Sequence, residues 1–113
     1  MLRSFGFAFA GIGHLIRTQR NARIELAIGI AAVVAGLILG LSSAEWAALV
    51  VTICLVLILE GLNTSLELAV DLASPELHPK AKAAKDLAAG TVLIAAVGSV
   101  VVGVLLFGPK LLR

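Results

Sequence analysis

The sequence predicts an all-α integral membrane protein, with three transmembrane helices preceded by an amphipathic helix on the membrane surface. The first observation is composition: 60% of the 113 residues are hydrophobic and the mean hydropathy is +1.09, too apolar for a soluble domain of this size. The second is that the apolar residues are concentrated in three segments, 26–41, 46–59 and 87–107. The third is that Lys and Arg cluster on one side of these segments, as in membrane proteins.

The lengths of the apolar segments set the expected boundaries. A membrane-crossing helix needs about 20 apolar residues, so the third segment qualifies alone and the first two must extend through polar neighbours. We expect one membrane-embedded domain over residues 1–113, with a surface helix at about 3–20 and spans at about 24–41, 45–72 and 84–107. The alternative is a soluble bundle that buries an apolar hairpin.

The N-terminal segment is predicted to lie in the membrane interface as an amphipathic helix. Its apolar residues recur every three to four positions, and polar residues take the opposite side: Phe5, Phe9, Ile12 and Ile16 against Arg3, His14, Arg17 and Asn21. A cleaved signal peptide is the alternative, because 8–10 reads Ala-Phe-Ala. The apolar stretch before it is too short for that role, and basic residues follow it.

Local signals indicate how the helices pack and begin. Gly36 and Gly40 form a G-x-x-x-G pair, which allows close helix packing in lipid, although chance is a comparable explanation in a chain with 11 glycines. Ser43 is the expected N-cap of the second span. In the following connection, Pro75 is expected at the first position of a short helix, which Pro79 would interrupt.

The basic residues indicate the topology. Seven precede the first span or lie between the second and third: Arg3, Arg17, Arg20, Arg23, Lys80, Lys82 and Lys85. The connection at 42–45 has none, so the positive-inside rule puts the N-terminus and the second connection in the cytoplasm. Lys110 and Arg113 fall on the opposite side as minor exceptions. Because topology accounts for these charges, they do not indicate nucleic-acid binding.

A polar cluster at the end of the second span is the strongest functional signal. Glu60, Asn63, Glu67 and Asp71 are spaced three, four and four residues apart, so a helix presents them on one face. Ionisable groups at such a depth cost several kcal/mol unless they are paired, bound to metal or hydrated. The cluster therefore predicts a site that holds a cation.

These groups could support phosphoryl transfer. Glu60, Glu67, Asp71 and Asp86 offer hard oxygen ligands of the kind that Mg²⁺ prefers, and Lys85 supplies a positive group for phosphate. No G-x-x-x-x-G-K-[ST] sequence occurs, so an ATP site here would not be a P-loop. The lone cysteine lies within a span, which excludes a disulfide framework and predicts a packing role for it.

Four motifs carry a resemblance to a known family. They are E-x-x-N-[ST]-x-x-E-x-x-x-D at 60–71, H-P-x-A-K-x-A-K-D-x-A-A-G-x-V-L at 78–93, S-F-x-x-A-F-x-G at 4–11 and R-N-A-R-I-E at 20–25. Together they resemble the prokaryotic diacylglycerol kinase/undecaprenol kinase family over nearly the whole chain. The His-Pro form of the second motif is closer to the undecaprenol kinase branch.

The resemblance implies a homotrimeric bundle in the bacterial inner membrane, with active sites shared between subunits. It also implies ATP- and Mg²⁺-dependent transfer of the γ-phosphate to the hydroxyl of a membrane lipid alcohol, either undecaprenol or diacylglycerol. The implied partners are the lipid, ATP and further copies of the chain, and no nucleic acid is expected.

Residue roles follow from the same resemblance. Glu60 matches the general base on the lipid hydroxyl and Asn63 a polar residue of the active site. Glu67 matches a metal ligand, and Gln19 stands where many members have a second metal-binding Glu. The implied nucleotide contacts are Gly11, Glu76, His78, Lys85 and Asp86, and the supporting acids are Glu25 and Asp71.

Two other functional classes stay open. A small transporter would use Glu60 or Glu67 as a proton-coupled carboxylate, which should then lie near the middle of its span. An inactive membrane scaffold is favoured only by the neutral Gln19. Individually, Glu60 could pair with an Arg of the surface helix, Asn63 could join helices by hydrogen bonding, and Lys85 could anchor the chain to lipid phosphates.

Overall fold

The computed structural model describes residues 1–76 and 78–113 as four α-helices. They are α1 (Leu2–Thr18), α2 (Arg20–Leu39), α3 (Ser43–Ala73) and α4 (Pro79–Leu112). The last three are each long and apolar enough to cross a membrane. The predicted all-α architecture, with three membrane-crossing helices after an N-terminal helix, is confirmed.

A capping box begins α3. The Ser42 hydroxyl accepts a hydrogen bond from the Glu45 amide at 3.2 Å, and the Glu45 carboxylate accepts one from the Ser42 amide at 3.0 Å. The prediction that Ser43 is the N-cap was therefore wrong by one residue. The reciprocal pair requires a spacing of three residues to an acid, and only Ser42 has that spacing to Glu45.

The start of α4 also differs from the prediction. Pro79 is its first residue, and the His78 ring caps the helix by accepting a hydrogen bond from the Lys80 amide at 3.1 Å. Pro75 does not start a helix. Pro79 suits the first position because its fixed φ matches the helix, and it forces His78 into the extended conformation of an N-cap.

Small residues let α2 approach α3 closely. The buried residues of α2 are Ala22, Gly29 and Gly36, seven positions apart. A Cβ atom on Gly29 would lie 3.2 Å from Ile53, and one on Gly36 would lie 2.9 Å from Trp46. Residues spaced by seven line one side of a helix that packs at a shallow angle, so this stripe fixes an antiparallel α2–α3 pair.

The second glycine of the G-x-x-x-G pair has a different role. Gly40 is the C-cap of α2 with a φ of 79°, a backbone conformation that favours glycine. Gly36 therefore packs between helices, whereas Gly40 ends α2 and turns the chain toward α3.

Polar contacts join the helix ends at the α2–α3 connection, here called the far end. Lys110 of α4 forms an ion pair with Glu45 of α3 at 3.2 Å, with the Lys110 side chain only 15% exposed. Arg113 donates a hydrogen bond to the Leu39 carbonyl of α2 at 3.4 Å. The two cations that depart from the charge rule are thus engaged by partners within the chain.

Candidate functional site

The polar cluster of α3 forms a continuous acidic line, defined as Glu60, Asn63, Glu67 and Asp71. At about 100° per residue, the four positions fall within roughly 80° of one another around the helix. Exposure changes steeply along the line, from 62% for the Asp71 side chain to 2% for Glu60. The line therefore leads from water at the end of α3 into the interior of the bundle.

Helix register explains why Glu60 is buried. Because Gly36 faces Trp46 and Gly29 faces Ile53, continuing the antiparallel register puts Ala22 of α2 opposite Glu60. Ala22 has no exposed surface. A small residue at this position leaves space beside the Glu60 carboxyl group while excluding water.

The packing of α4 against α3 brings a second buried residue to the level of Glu60. Ion pairs bracket this pair of helices, Glu45 with Lys110 at the far end and Asp71 with Lys85 at the other. The register between them puts the buried Ala95 at the level of Glu60. Two buried alanines on neighbouring helices, Ala22 and Ala95, thus lie at the level of Glu60.

Three buried oxygens in this region have no hydrogen-bond partner among the described residues: Glu25 Oε2, Glu60 Oε2 and Asn63 Oδ1. Glu25 of α2 is also within Coulombic range of Glu60. Buried polar atoms in proteins are nearly always paired, and all three atoms here are acceptors. Their common chemistry suits a ligand that brings a hydroxyl proton or a cation.

The donor set fits Mg²⁺ held together with phosphate. Asn63 donates a hydrogen bond to Glu67 Oε1 at 3.3 Å, which orients the carboxylate and leaves the Asn63 oxygen free. The α2–α3 register puts Gln19 level with Asn63. Within residues 1–76 and 78–113, no three or more acidic, His or Cys side chains converge as a metal cluster. Mg²⁺ is commonly held by only one or two carboxylates plus substrate phosphates, so two oxygen donors on one chain are consistent with it.

The predicted nucleotide contacts at the outer end of the line already have partners within the chain. Lys85 forms an ion pair with Asp71, and Asp86 forms one with Lys82 at 2.5 Å. These side chains are 38–75% exposed, and such surface pairs contribute only about 0–1 kcal/mol. A phosphate group could therefore displace the Asp71 carboxylate from Lys85 at little cost.

The other two predicted contacts lie in the connection before α4. His78 uses Nδ1 to cap that helix, which leaves Nε2 for a ligand. Glu76 is exposed, and its carbonyl accepts a hydrogen bond from the Ser74 hydroxyl at 3.1 Å. In the sequence, both residues lie between Asp71, at the outer end of the acidic line, and Lys85. They are therefore at the end of the bundle opposite the far end.

Helix α1 packs on a different side of α3. A Cβ atom added to Gly61 of α3 would lie 3.8 Å from Cδ2 of Leu15. Helices α1 and α3 also share an apolar cleft of about 750 Å³. The α3 residues of this cleft lie about 120° around the helix from the acidic line. Gly11 of α1 is open, with nothing within 4 Å of an added Cβ atom. The structure therefore does not bring Gly11 to the acidic line of its own chain.

Comparison with known proteins gives a consistent answer. Residues 6–107 match the family described as prokaryotic diacylglycerol kinase. The chain is 48% identical over 113 residues to a diacylglycerol kinase of Synechocystis sp., covering 99% of this chain and 65% of the relative. It is 43% identical over 109 residues to an undecaprenol kinase of Bacillus subtilis, covering 96% and 89%.

A diacylglycerol kinase of Pseudomonas aeruginosa is 30% identical over 95 residues, covering 84% of this chain and 77% of that protein. The chain thus spans 65% of the length of the Synechocystis relative but most of the Bacillus one. The resemblance found in the four motifs is confirmed, and this chain belongs to the prokaryotic diacylglycerol kinase family.

Proposed function

We propose that this chain is a lipid kinase that transfers the γ-phosphate of ATP to the hydroxyl group of a membrane lipid alcohol, with Mg²⁺ as cofactor. The observation that carries the proposal is the acidic line, which begins at the buried Glu60 and ends at the exposed Asp71–Lys85 pair. It provides a buried acceptor for a hydroxyl proton on α3, and Asp71 at its outer end holds Lys85 of α4, an exposed cation for phosphate. The names of the relatives support the same activity.

The depth of Glu60 supports a lipid substrate. If Glu45 marks the far edge of the hydrocarbon, ~30 Å of helix reaches to about residue 65 of α3. Glu60 then lies roughly 8 Å beneath the opposite edge, and Glu67 lies close to that edge. A lipid hydroxyl can reach this depth, whereas the mid-span carboxylate expected of a proton-coupled transporter would lie about five residues deeper.

An apolar cleft supports the same substrate class. It has a volume of about 620 Å³, runs between α2, α3 and α4, and includes Glu25, Gly29, Val56 and Gly103 in its lining. Glu25 is the only ionisable residue in this lining. A hydrocarbon chain in the cleft would hold its hydroxyl group beside Glu25, which lies within Coulombic range of Glu60.

The side chains divide the reaction between them. Glu60 accepts the proton of the lipid hydroxyl, and Ala22 and Ala95 exclude water around it. Lys85 leaves Asp71 to bind the phosphates. Mg²⁺ would be held by Glu67 and the Gln19 amide oxygen, where it neutralises charge on the phosphates. Asn63 orients the Glu67 carboxylate by its hydrogen bond.

The assembly and orientation belong to the proposal. The N-terminus and the α3–α4 connection face the cytoplasm of a bacterial cell, at the inner membrane, because seven of the nine basic residues lie there. The protein is a homotrimer with shared sites. Since α1 turns away from the acidic line of its own chain, the α1 residues of each site come from a neighbouring subunit.

A labelling assay tests the activity. Purified protein in lipid nanodiscs is given γ-labelled ATP and Mg²⁺, with undecaprenol and diacylglycerol in parallel reactions. We expect label in at least one of the two lipids, with undecaprenol labelled faster than diacylglycerol, and no label when Mg²⁺ is chelated. If folded, membrane-inserted protein labels neither alcohol, the lipid-kinase proposal is wrong.

Changing Gln19 to Glu tests the metal site. We expect Gln19→Glu to lower the Mg²⁺ concentration for half-maximal activity several-fold. The substitution adds a negative charge near Glu67, and attraction to the ion at a partly buried site is worth on the order of 1 kcal/mol or more. The measurement is a Mg²⁺ titration of initial rates.

Asn21→Asp is the matched control, because it adds the same charge two residues away on an exposed position. An equal shift in both variants would indicate a general charge effect. An unchanged or higher Mg²⁺ requirement in Gln19→Glu would remove Gln19 from the metal ligands.

A further inference from the structure

The joint between α1 and α2 is a single residue. Gln19 is extended, with φ −112° and ψ 110°, and helices continue directly on both sides of it. The last four carbonyl groups of a helix have no partner within that helix. At the end of α1, the Gln19 amide pairs with one of them, the Leu15 carbonyl, at 2.9 Å.

Arg23 pairs with two more of these carbonyl groups. Its Nη1 donates hydrogen bonds to the carbonyl oxygens of Ile16 and Arg17, each at 2.9 Å. A guanidinium at the C-terminal end of a helix is also favoured by the helix dipole. Because Arg23 belongs to the first turn of α2, these bonds link the end of one helix to the side of the next.

Packing does not fix the direction of α1 strongly. No residue of α1 is buried, and Phe5, Phe7 and Phe9 are each more than half exposed. Within one chain, the angle between α1 and α2 therefore depends on the joint itself.

We propose that Arg23 is a positioning residue for the phosphoryl-transfer site. Its guanidinium fixes the angle between α1 and α2. It thereby holds Gln19 at the level of Asn63 and keeps α1 at the end of the bundle where Lys85 pairs with Asp71. The kinetic part of this inference rests on the proposed function, whereas the structural part does not.

The structural test is disulfide formation between Leu15→Cys and Gly61→Cys, in full-length protein whose native Cys54 is replaced by Ala. We expect rapid cross-linking in this background and a rate at least about fivefold lower when Arg23→Gln is added, from the loss of about 1 kcal/mol of hydrogen bonding. Arg20→Gln is the matched control, because Arg20 lies in the same turn, is exposed and takes no part in the capping. It should leave the rate unchanged.

Equal cross-linking rates in Arg23→Gln and Arg20→Gln would overturn the proposal, whatever the activity. If Arg23→Gln fails to fold, Arg23→Met is compared with Arg20→Met, because methionine keeps the aliphatic stem but has no donor for the carbonyl groups. A slower rate in Arg23→Met supports the proposal, and equal rates overturn it.

The kinetic test separates positioning from general damage. Arg23→Gln should raise the KM for Mg-ATP several-fold while leaving the KM for the lipid alcohol unchanged, since the cleft proposed for the lipid includes no residue of α1. Equal rises in both KM values would contradict a positioning role. Absence of kinase activity in the unmodified protein would defeat the proposed function alone, because the cross-linking comparison still decides the role of Arg23.

Discussion

Glu60→Gln is expected to lower turnover by about 10²–10⁴-fold while leaving the affinity for Mg-ATP nearly unchanged. An amide has the same shape as the carboxylate, but it cannot accept the proton of the lipid hydroxyl. Lys85, the proposed phosphate contact, pairs with Asp71, which lies ~16 Å further along α3 than Glu60. The measurements are kcat, and the Kd for a non-hydrolysable ATP analogue.

Glu45→Gln is the matched control for that loss. It removes a partly buried carboxylate from the same helix at the far end, so it reports any general effect of losing an acid from α3. We expect Glu45→Gln to retain most of the turnover. Near-normal turnover in Glu60→Gln would instead assign that residue a structural role.

Two inactive variants are expected to restore activity when their subunits are mixed. Glu60→Gln removes the proposed base from the acidic line and leaves α1 unchanged. Gly11→Leu puts a bulky side chain at a proposed nucleotide contact of α1 and leaves the acidic line unchanged. Nothing lies within 4 Å of a Cβ atom added to Gly11, which lines the cleft between α1 and α3, so the chain has room for the larger side chain. Because α1 faces away from its own acidic line, each site would combine α1 of one subunit with the line of another.

The size of the recovery can be estimated for a cyclic trimer. After random exchange of equal amounts, about three quarters of the trimers are mixed, and each mixed trimer regains one of its three sites. The expected activity is therefore about one quarter of the normal value. No recovery at any ratio, with subunit exchange confirmed by differently tagged chains, would count against shared sites.

The parts of the fold that the sequence predicted depend on local periodicity. Three apolar segments predicted three membrane-crossing helices, because lipid leaves the backbone few other structures. The spacing of Glu60, Asn63 and Glu67 predicted their common face, because a helix has a fixed number of residues per turn.

Other features depend on contacts that local patterns do not specify. Two adjacent serines made the start of α3 ambiguous, and only the pairing with Glu45 distinguishes Ser42 from Ser43. The pairing of Lys85 with Asp71 depends on the α3–α4 register. The side of α3 on which α1 packs was equally unspecified, because α1 is amphipathic whichever neighbour it contacts. Arg23 appeared only as part of a basic cluster, although a basic residue just beyond a helix end is the signal for such a cap.

The length of the α3–α4 hairpin has a consequence for the membrane around it. Its two bracketing ion pairs lie ~39 Å apart along α3, whereas the hydrocarbon core of a bilayer is about 30 Å thick. The hairpin therefore extends roughly 9 Å beyond the hydrocarbon core, into the headgroup region. In a thicker bilayer, the hydroxyl groups of the lipids would lie further from Glu60 along the membrane normal. In a thinner bilayer, the same hydroxyl groups would lie deeper relative to Glu60. We therefore expect the rate of phosphorylation to depend on the hydrophobic thickness of the bilayer.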